Sequence, residues 1–217
     1  MRRSHHFPGY LIVIEGIDGA GKSTLADLLQ NLLMAKAFCV IRSREPTNGQ
    51  WGRILRDSAL SGRLSLEEEV ETFVKDRKEH VEKLIIPALR AGKVVLLDRY
   101  YYSTMAYQGA RGVDPKELMR RNEAFAPEPD LLVLLVVEPK LGLDRIRARG
   151  DRADHFENTG TLEKARQIFN SIQKPYLLRL DGTQPPQASL NLIFLRFLAL
   201  DAERAVAKQA IPKALDK

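Results

Sequence analysis

The residues from Gly16 to Thr24 have the types and spacing of a phosphate-binding loop, because they match the pattern G-x-x-x-x-G-K-[ST]. Glycines in such a loop let backbone N–H groups close around phosphate oxygens, and the positive end of the following helix adds attraction. Lys22 would then reach the β- and γ-phosphates of a bound nucleotide, and the Ser23 hydroxyl would face Mg²⁺. An ordinary glycine-rich turn is disfavoured by the apolar run before the loop and the helical spacing of leucines after it. The candidate loop residues are Gly16, Ile17, Asp18, Gly19, Ala20, Gly21, Lys22, Ser23 and Thr24.

Three further charged residues stand at the ends of predicted strands. Asp98 closes a run of four apolar residues, where a carboxylate could hold Mg²⁺ through water or orient Ser23. Arg44 and Arg99 each follow a strand, and their planar guanidinium groups suit two oxygens of one phosphate. The alternatives are a simple pair between Asp98 and Arg99 and solvated surface ion pairs for the arginines. Their common position at strand ends favours a second phosphate site beside the first, as a phosphotransferase requires.

Phe73 and Arg77 are one helical turn apart, so they share a helix face. A ring beside a guanidinium group can stack on a nucleotide base and bond to its edge. A core phenylalanine next to an arginine with a buried stem fits the same spacing. The spacing leaves both interpretations open.

A basic segment precedes a polar loop and predicts a short lid over residues of about 147–160. Its arginines are Arg145, Arg147, Arg149 and Arg152. A loop of this kind can close over a triphosphate, exclude water and stabilise the charge of the transition state. The alternative is a solvated basic helix face. None of the four histidines, including His155 in this loop, has partners at ligand spacing, so no metal site built by the protein alone is predicted.

Strands alternate with helices along the chain, which predicts an α/β fold with a parallel sheet and right-handed crossovers. Strands are predicted at residues 11–14, 38–43, 94–98, 131–137 and 176–180. The predicted architecture is a three-layer fold of the P-loop NTPase type, with a five-stranded sheet flanked by helices. Ligands of such sheets bind beyond the carboxyl ends of the strands, where the polar residues described above collect.

The helices are predicted from apolar spacing and end signals. A short helix is expected at 52–58, a long amphipathic helix after a cap at Ser65, and further helices at 115–125, 141–149, 162–172 and 188–207. Pro87 is expected to kink or restart the long helix, and residues 100–112 are expected to line the site. No linker is long enough to divide the chain, so residues 1–217 are predicted to form a single domain.

The composition limits the partners and the location of the protein. A formal charge of +6 indicates an anionic partner, which could be a nucleotide, a nucleic acid or an acidic membrane. The single cysteine, Cys39, excludes an internal disulfide and is expected to be buried in a strand. The chain contains neither an apolar run long enough to span a membrane nor an export signal, which predicts a cytoplasmic protein without membrane partners. It also shows no basic surface stripe with interleaved aromatic residues, so no nucleic-acid partner is expected.

Six features in this order resemble bacterial thymidylate kinases. They are the segment Ile14 to Thr24, Arg44-Glu45-Pro46, Phe73-x-x-x-Arg77, Asp98-Arg99-Tyr100-x-x-Ser103, Ala106-Tyr107-Gln108-Gly109 and the loop ending in Phe156-Glu157. The resemblance extends from Leu11 to about Leu180. It implies a P-loop nucleoside monophosphate kinase that converts dTMP to dTDP with ATP and Mg²⁺, usually as a homodimer.

The resemblance also implies roles for individual residues. Phe73 and Arg77 match residues that hold thymine, and Arg44 and Arg99 match residues that hold the dTMP phosphate. Asp18 corresponds to an acidic residue near the deoxyribose 3′-hydroxyl. The other residues implied in dTMP binding are Ser103, Tyr107 and Gln108. Backbone at Asp181, Gly182 and Thr183 corresponds to a segment that contacts the adenine of ATP.

Two departures from the family pattern bear on the catalytic arginine. One branch of the family has an arginine inside the phosphate loop, where this chain has Gly19, so the arginine should come from the lid. Many relatives have arginine in the lid where this chain has His155, which leaves Arg149 or Arg152 to act beside Lys22 and Arg99. A kinase for another nucleoside monophosphate or a deoxynucleoside remains the nearest alternative. A nucleotide-dependent switch or nucleic-acid-binding ATPase is a more distant one.

Overall fold

The computed structural model of the chain describes residues 7–62, 64–148 and 159–210. Its centre is a five-stranded sheet in the order β2-β3-β1-β4-β5, and every adjacent pair is parallel. The strands are β1 (Tyr10–Glu15), β2 (Val40–Arg44), β3 (Val94–Asp98), β4 (Leu131–Val136) and β5 (Leu177–Asp181). The predicted five-stranded parallel sheet is therefore confirmed, and no strand end lies more than two residues from its predicted position.

The three central strands form the core of the molecule. Every residue of β1 and β3 is buried, and β4 is buried except for its last residue. Continuous apolar strands of this kind form where helices cover both faces of a parallel sheet. The outer strands β2 and β5 are only partly buried. The sheet thus holds the carboxyl ends of its strands in a row, at one edge of a rigid core.

Helices connect the strands and flank the sheet. They are α1 (Lys22–Ala35), α2 (Gln50–Ser61), α3 (Leu66–His80), α4 (Ile86–Arg90), α5 (Tyr101–Gly109), α6 (Pro115–Glu123), α7 (Pro139–Ala148), α8 (Thr159–Asn170) and α9 (Pro186–Ala210). Helix α1 packs against α9, whereas α5 packs against α3, α6 and α8. No helix within the described ranges is both long and apolar enough to cross a bilayer.

The predicted long helix is divided by a change in helical winding. Ser65 caps α3 with a capping box, in which its hydroxyl accepts from the Glu68 backbone and the Glu68 side chain accepts from the Ser65 backbone. A π-helical turn, Val81–Ile85, then links α3 to α4, and Pro87 lies in the first turn of α4. Pro87 restarts the helix there because a proline ring is tolerated in a first turn.

The prediction that Cys39 is a buried strand residue is wrong. Cys39 is exposed and lies just before β2, which begins at Val40. The apolar run around it marks an edge strand, which packs against a neighbour on one side only. That residues 1–217 form a single domain stays a prediction. Most of the predicted lid, at 149–158, lies outside the described residues.

Candidate active site

The predicted phosphate loop joins β1 to α1. Gly21, just before α1, has φ 98°, and Gly19 has φ 76°, conformations that glycine adopts without steric cost. A β-carbon on Gly19 would lie 2.1 Å from the carbonyl oxygen of Gly142 in α7. The loop packs so closely on α7 that a larger residue at position 19 would collide with it. An arginine is thereby excluded from this position of the loop.

Lys22 is the first residue of α1, and its ammonium group folds back onto the loop. Its Nζ donates to the carbonyl oxygens of Gly16 at 3.0 Å and Ile17 at 2.9 Å. Burial lowers the pKa of Lys22 to about 8, and the neighbouring Arg99 charge adds to this lowering. An incoming phosphate would favour the protonated amine. Lys22 is therefore placed to bind an anion at the loop.

Ser23 and Asp98 meet where α1 begins and β3 ends. The Ser23 hydroxyl donates a 2.6 Å hydrogen bond to Asp98 Oδ2. Two oxygen groups beside a phosphate loop fit Mg²⁺, which usually binds one or two carboxylates together with substrate phosphates. No group of three or more metal-ligating side chains occurs in the parts of the chain that the structure describes. The donor set therefore fits an ion that arrives with a nucleotide.

A cavity opens over the loop and is called the loop cavity here. It is lined by Asp18, Gly19, Gly21, Lys22, Ser23, Thr24, Arg44, Glu45, Pro46, Arg56, Asp98 and Arg99. Arg44 ends β2 in register with Asp98, and its side chain is exposed. Four cationic side chains thus face one cavity, as binding of phosphate groups requires.

A second cavity adjoins the loop cavity and shares part of its wall. It contains about 850 Å³ of empty space, which includes solvent at its open mouth. Seven of the predicted site residues line it: Asp18, Phe73, Arg77, Arg99, Ser103, Tyr107 and Gln108. The structure thus brings together residues from the phosphate loop through α5, which the sequence separates by up to 90 positions.

Arg99 lines both cavities. Its backbone has φ 72°, a left-handed conformation that strains a residue with a β-carbon and often marks a functional site. One guanidinium nitrogen forms an ion pair with Asp18, and Nη1 donates to Ser103 Oγ at 3.1 Å. These contacts hold a strained arginine at the boundary between the two cavities.

Asp18 lies between Arg99 and Tyr107. The Tyr107 hydroxyl donates to Asp18 Oδ2 at 2.7 Å, and the backbone N–H of Asp18 donates to the same hydroxyl at 3.1 Å. Burial alone would raise the pKa of Asp18, but the charges of Arg99 and Lys22 outweigh it and lower the pKa to about 2. Asp18 is therefore ionised at neutral pH and orients the side chains on both sides of it.

Arg77 is buried in the wall of the second cavity and anchors a polar network. It is only 1% exposed. Its Nε donates to Glu45 Oε2 at 2.7 Å, Nη1 to Asn122 Oδ1 at 2.5 Å and Nη2 to Thr104 Oγ1 at 3.0 Å. His80 also bonds to Glu45, with 3.0 Å between Nδ1 and Oε1. Arg77 is thus a rigid wall residue, while the neighbouring Phe73 is half-buried and faces the same cavity.

Glu15 supports the same wall from the end of β1. It accepts from the backbone N–H groups of Tyr100 at 2.8 Å and Ser103 at 3.1 Å, and from Ser103 Oγ at 2.6 Å. Burial raises the pKa of Glu15 to about 7, although the Ser103 hydrogen bond and the Arg99 charge act against this rise. Glu15 fixes the first turn of α5 and, through Ser103, the guanidinium group of Arg99.

The segment expected to contact adenine follows β5 and lies beside the phosphate loop. A β-carbon on Gly182 would lie 3.2 Å from the Ala20 carbonyl oxygen. Arg145 Nη1 donates to the carbonyl oxygens of Gly182 at 3.0 Å and Gly19 at 3.3 Å. The Asp181 carboxylate accepts from the backbone and hydroxyl of Thr183 and so shapes the turn. Arg145 therefore joins the phosphate loop to the segment that follows β5.

Sequence reasoning missed several residues of these walls, and two predicted residues cannot be placed. The missed residues are Glu15, Glu45, Arg56, Glu69, Thr104, Asn122 and Arg145 in its bridging role. Glu15 did carry a signal, since it is a charged residue that ends a buried strand directly before the loop. Arg149 and Arg152, the candidate lid arginines, lie outside the described residues.

A phosphate loop at the carboxyl edge of a parallel sheet, with a second arginine-lined cavity beside it, is the arrangement of a P-loop nucleotide-binding protein. A family model described as thymidylate kinase matches residues 14–193. The chain belongs to the thymidylate kinase family. Its enzyme class is therefore that of the nucleoside monophosphate kinases, and the predicted reaction, ATP-dependent phosphorylation of dTMP to dTDP, is the reaction of that family.

Individual relatives support this membership. The thymidylate kinase of Xanthomonas euvesicatoria is 56% identical over 196 residues, which cover 90% of this chain and 86% of the relative. The thymidylate kinase of Xanthomonas campestris is 55% identical over the same shares. That of Akkermansia muciniphila is 55% identical over 174 residues, which cover 80% of this chain and 84% of the relative.

Proposed function

We propose that the protein transfers the γ-phosphate of ATP to dTMP, with ATP at the loop cavity and dTMP in the second cavity. The observation that carries this assignment is the position of Arg99, which lines both cavities. A guanidinium group at that boundary can bind the acceptor phosphate next to the donor phosphates. Family membership supports the identity of both substrates.

On the donor side, the loop backbone and Lys22 bind the β- and γ-phosphates, and the segment Asp181, Gly182 and Thr183 contacts adenine. Ser23 and Asp98 would hold Mg²⁺, directly or through water. The ion, when bound with ATP, supplies positive charge that offsets the charge developing on the transferring group. The hydrogen bond between Ser23 and Asp98 supports the assignment of both residues to one Mg²⁺ ion.

On the acceptor side, Arg99 and Arg44 bind the phosphate of dTMP, while Phe73 and Arg77 hold the thymine. Gln108 and Ser103 complete the wall around the base. Asp18 and Tyr107 lie where the loop cavity meets the second cavity, a position that suits contact with the deoxyribose. The rigid anchoring of Arg77 supports a base site of fixed shape.

The transfer needs alignment and positive charge rather than a general base. The acceptor phosphate is largely ionised near neutral pH, because its second pKa is about 6. Two anions must approach each other, and Lys22, Arg44 and Arg99 surround the meeting point with cations. Gly19 leaves no room for an arginine in the loop, which supports a catalytic arginine supplied by the lid, Arg149 or Arg152.

A panel of acceptors tests this assignment. Initial rates with ATP and Mg²⁺ would be measured for dTMP, dUMP, dCMP, UMP and thymidine by coupled detection of ADP. We expect the highest kcat/KM for dTMP and little ADP without an acceptor. Faster transfer to dCMP, UMP or thymidine would replace dTMP as the substrate, whereas rapid hydrolysis without an acceptor would favour an ATPase.

We also infer a homodimer in the cytoplasm, the compartment that supplies ATP. Exposed apolar side chains on α9, at Leu192, Leu195 and Val206, provide surface that a second copy could cover. Sedimentation velocity would test the dimer, and a purely monomeric species at micromolar concentration would contradict it.

The net charge of +6 is accounted for in part by the cations of the two cavities, without a nucleic-acid partner.

A further inference from the structure

The amide of Gln108 is buried in the wall of the second cavity, with its two ends in different environments. Gln108 is 1% exposed, and its Nε2 donates to Glu69 Oε1 at 2.7 Å. Its Oε1 is buried and accepts no hydrogen bond from any residue that the structure describes. A buried acceptor without a donor costs about 1–3 kcal/mol. Gln108 thus lines the second cavity and carries a buried acceptor that no described residue satisfies.

Glu69 determines which end of the amide stays unpaired. The Glu69 side chain is 2% exposed and forms an ion pair with Arg111, whose Nη1 lies 2.6 Å from Oε2. A carboxylate accepts hydrogen bonds and cannot donate them. Only the NH₂ end of the Gln108 amide can therefore face Glu69, so the oxygen is the end left without a partner.

We propose that Glu69, held by Arg111, is a positioning residue that makes the second cavity select a base with a ring N–H donor. This inference rests on the proposed function, which places the base of the acceptor in this cavity. Thymine carries a hydrogen on N3 and can donate to Gln108 Oε1. The N3 atom of cytosine is an acceptor, so it would leave two acceptors facing each other in a buried site. Such a mismatch strongly disfavours the wrong base.

A neutral residue at position 69 should weaken the selection for a ring N–H donor. Glu69→Gln keeps the size of the side chain but adds an NH₂ group that can donate to Gln108 Oε1. The Gln108 amide can then rotate and present its own NH₂ group to the cavity. The selection against a ring acceptor should weaken, although the fold and the phosphate site are unchanged.

The test compares dTMP with 5-methyl-dCMP as acceptors. The two nucleotides share the methyl group, sugar and phosphate and differ only at positions 3 and 4 of the base. We expect the ratio of their kcat/KM values to fall about tenfold or more in Glu69→Gln, mainly through KM. Because the substituent at position 4 also differs, the preference should narrow rather than reverse. The matched control is Glu71→Gln, which removes a carboxylate paired with Arg121 on the surface of the same helix.

A second variant, Arg111→Met, weakens the hold on Glu69 from a partly exposed position and should move the ratio in the same direction by a smaller factor. An equal loss for both acceptors, or an unchanged ratio in folded variants, would overturn the proposal and leave Glu69 a structural residue. If the unmodified enzyme does not phosphorylate dTMP, the proposed function itself fails. The two failures are therefore distinguishable.

Discussion

The Ser23 hydroxyl donates to Asp98 across 2.6 Å, although the two residues are 75 positions apart in the sequence. One begins the helix after the phosphate loop, and the other ends the neighbouring strand. Both are oxygen ligands of the kind that Mg²⁺ accepts. Their contact holds the proposed metal ligands in a fixed position relative to the loop.

Asp98→Asn should raise the Mg²⁺ concentration needed for half-maximal activity and lower the rate at limiting Mg²⁺ by roughly 10- to 100-fold. The reason is that a neutral amide holds the ion less strongly than a carboxylate does. Initial rates against Mg²⁺ concentration would measure this. Asp27→Asn is the control, since Asp27 is exposed and pairs with Arg42 outside the cavity. If Asp98→Asn and Asp27→Asn required the same Mg²⁺ concentration, Asp98 would not be a metal ligand.

Lys22→Ala should lower phosphoryl transfer by at least about a hundredfold while the protein remains folded. The variant removes the cation from the loop, but the backbone of the loop stays packed on α7. A coupled ADP assay together with thermal unfolding would test both parts. Lys36→Ala, an exposed change just after α1, serves as the control. Activity close to that of the unmodified enzyme would show that the loop is not the donor site.

Arg99→Ala should raise the KM for dTMP about 10- to 100-fold, because hydrogen bonds to charged groups contribute about 1.5–3 kcal/mol. The KM for ATP should change much less. Steady-state kinetics with each substrate varied in turn would separate the two. Arg120→Ala on α6 removes an exposed cation that pairs with Glu117 and should leave both constants unchanged. Equal increases in the two constants for Arg99→Ala would contradict its acceptor role.

Arg77→Met should lower the free energy of unfolding by about 3 kcal/mol, since it leaves the buried Glu45 carboxylate without its main partner. Burial raises the pKa of Glu45, but the Arg77 charge and His80 outweigh it and hold the pKa below its ordinary value. Adding Glu45→Gln should recover part of the loss. Urea denaturation of the two single variants and the double variant would measure the coupling. Strictly additive losses would mean that the pair does not act as a unit.

Glu15 should make folding stability depend on pH near neutrality. Its pKa is raised from 4.5 to about 7 in the folded protein, so the folded state binds the proton more tightly than the unfolded state does. The resulting contribution is complete below about pH 4.5 and is lost as the pH rises through about 7. The difference in unfolding free energy between the unmodified protein and Glu15→Gln should change by on the order of 3 kcal/mol over this range. Parallel pH profiles would contradict the shift.

Much of the fold could be predicted from the sequence because its signals are local. Unbroken apolar runs mark the central strands, and Ser65 with Glu68 marks the start of α3. The phosphate loop is a contiguous motif, and the rule that ligands bind at carboxyl strand ends places Asp98 and Arg99 beside it. The sequence therefore predicted that the site lies at the carboxyl ends of the strands, and it identified most of the residues that line the two cavities.

The supporting network could not be predicted, because it depends on tertiary contacts. Arg77 contacts Asn122 from 45 positions away, and Gln108 contacts Glu69 from 39 positions away. Helical spacing alone left Arg77 ambiguous between a base ligand and a core residue. In the structure its side chain is buried, as in a core residue, and also lines the second cavity. The prediction that Cys39 is buried failed for a related reason. An apolar run does not reveal whether its strand lies at the centre or the edge of a sheet.

The register of the sheet has a consequence for how such an enzyme can change its substrate. Ile14, Asp98 and Arg44 pair in one row across three adjacent strands, which are spaced about 4.8 Å apart. Backbone ladders thus fix the spacing between Arg44, proposed to bind the acceptor phosphate, and Asp98, proposed to hold the metal ion. The helices α3 and α5, which line the second cavity, can change in sequence without altering that spacing. Substitutions on α3 and α5 could therefore change which acceptor is bound, while the strand register keeps the residues at the strand ends in place.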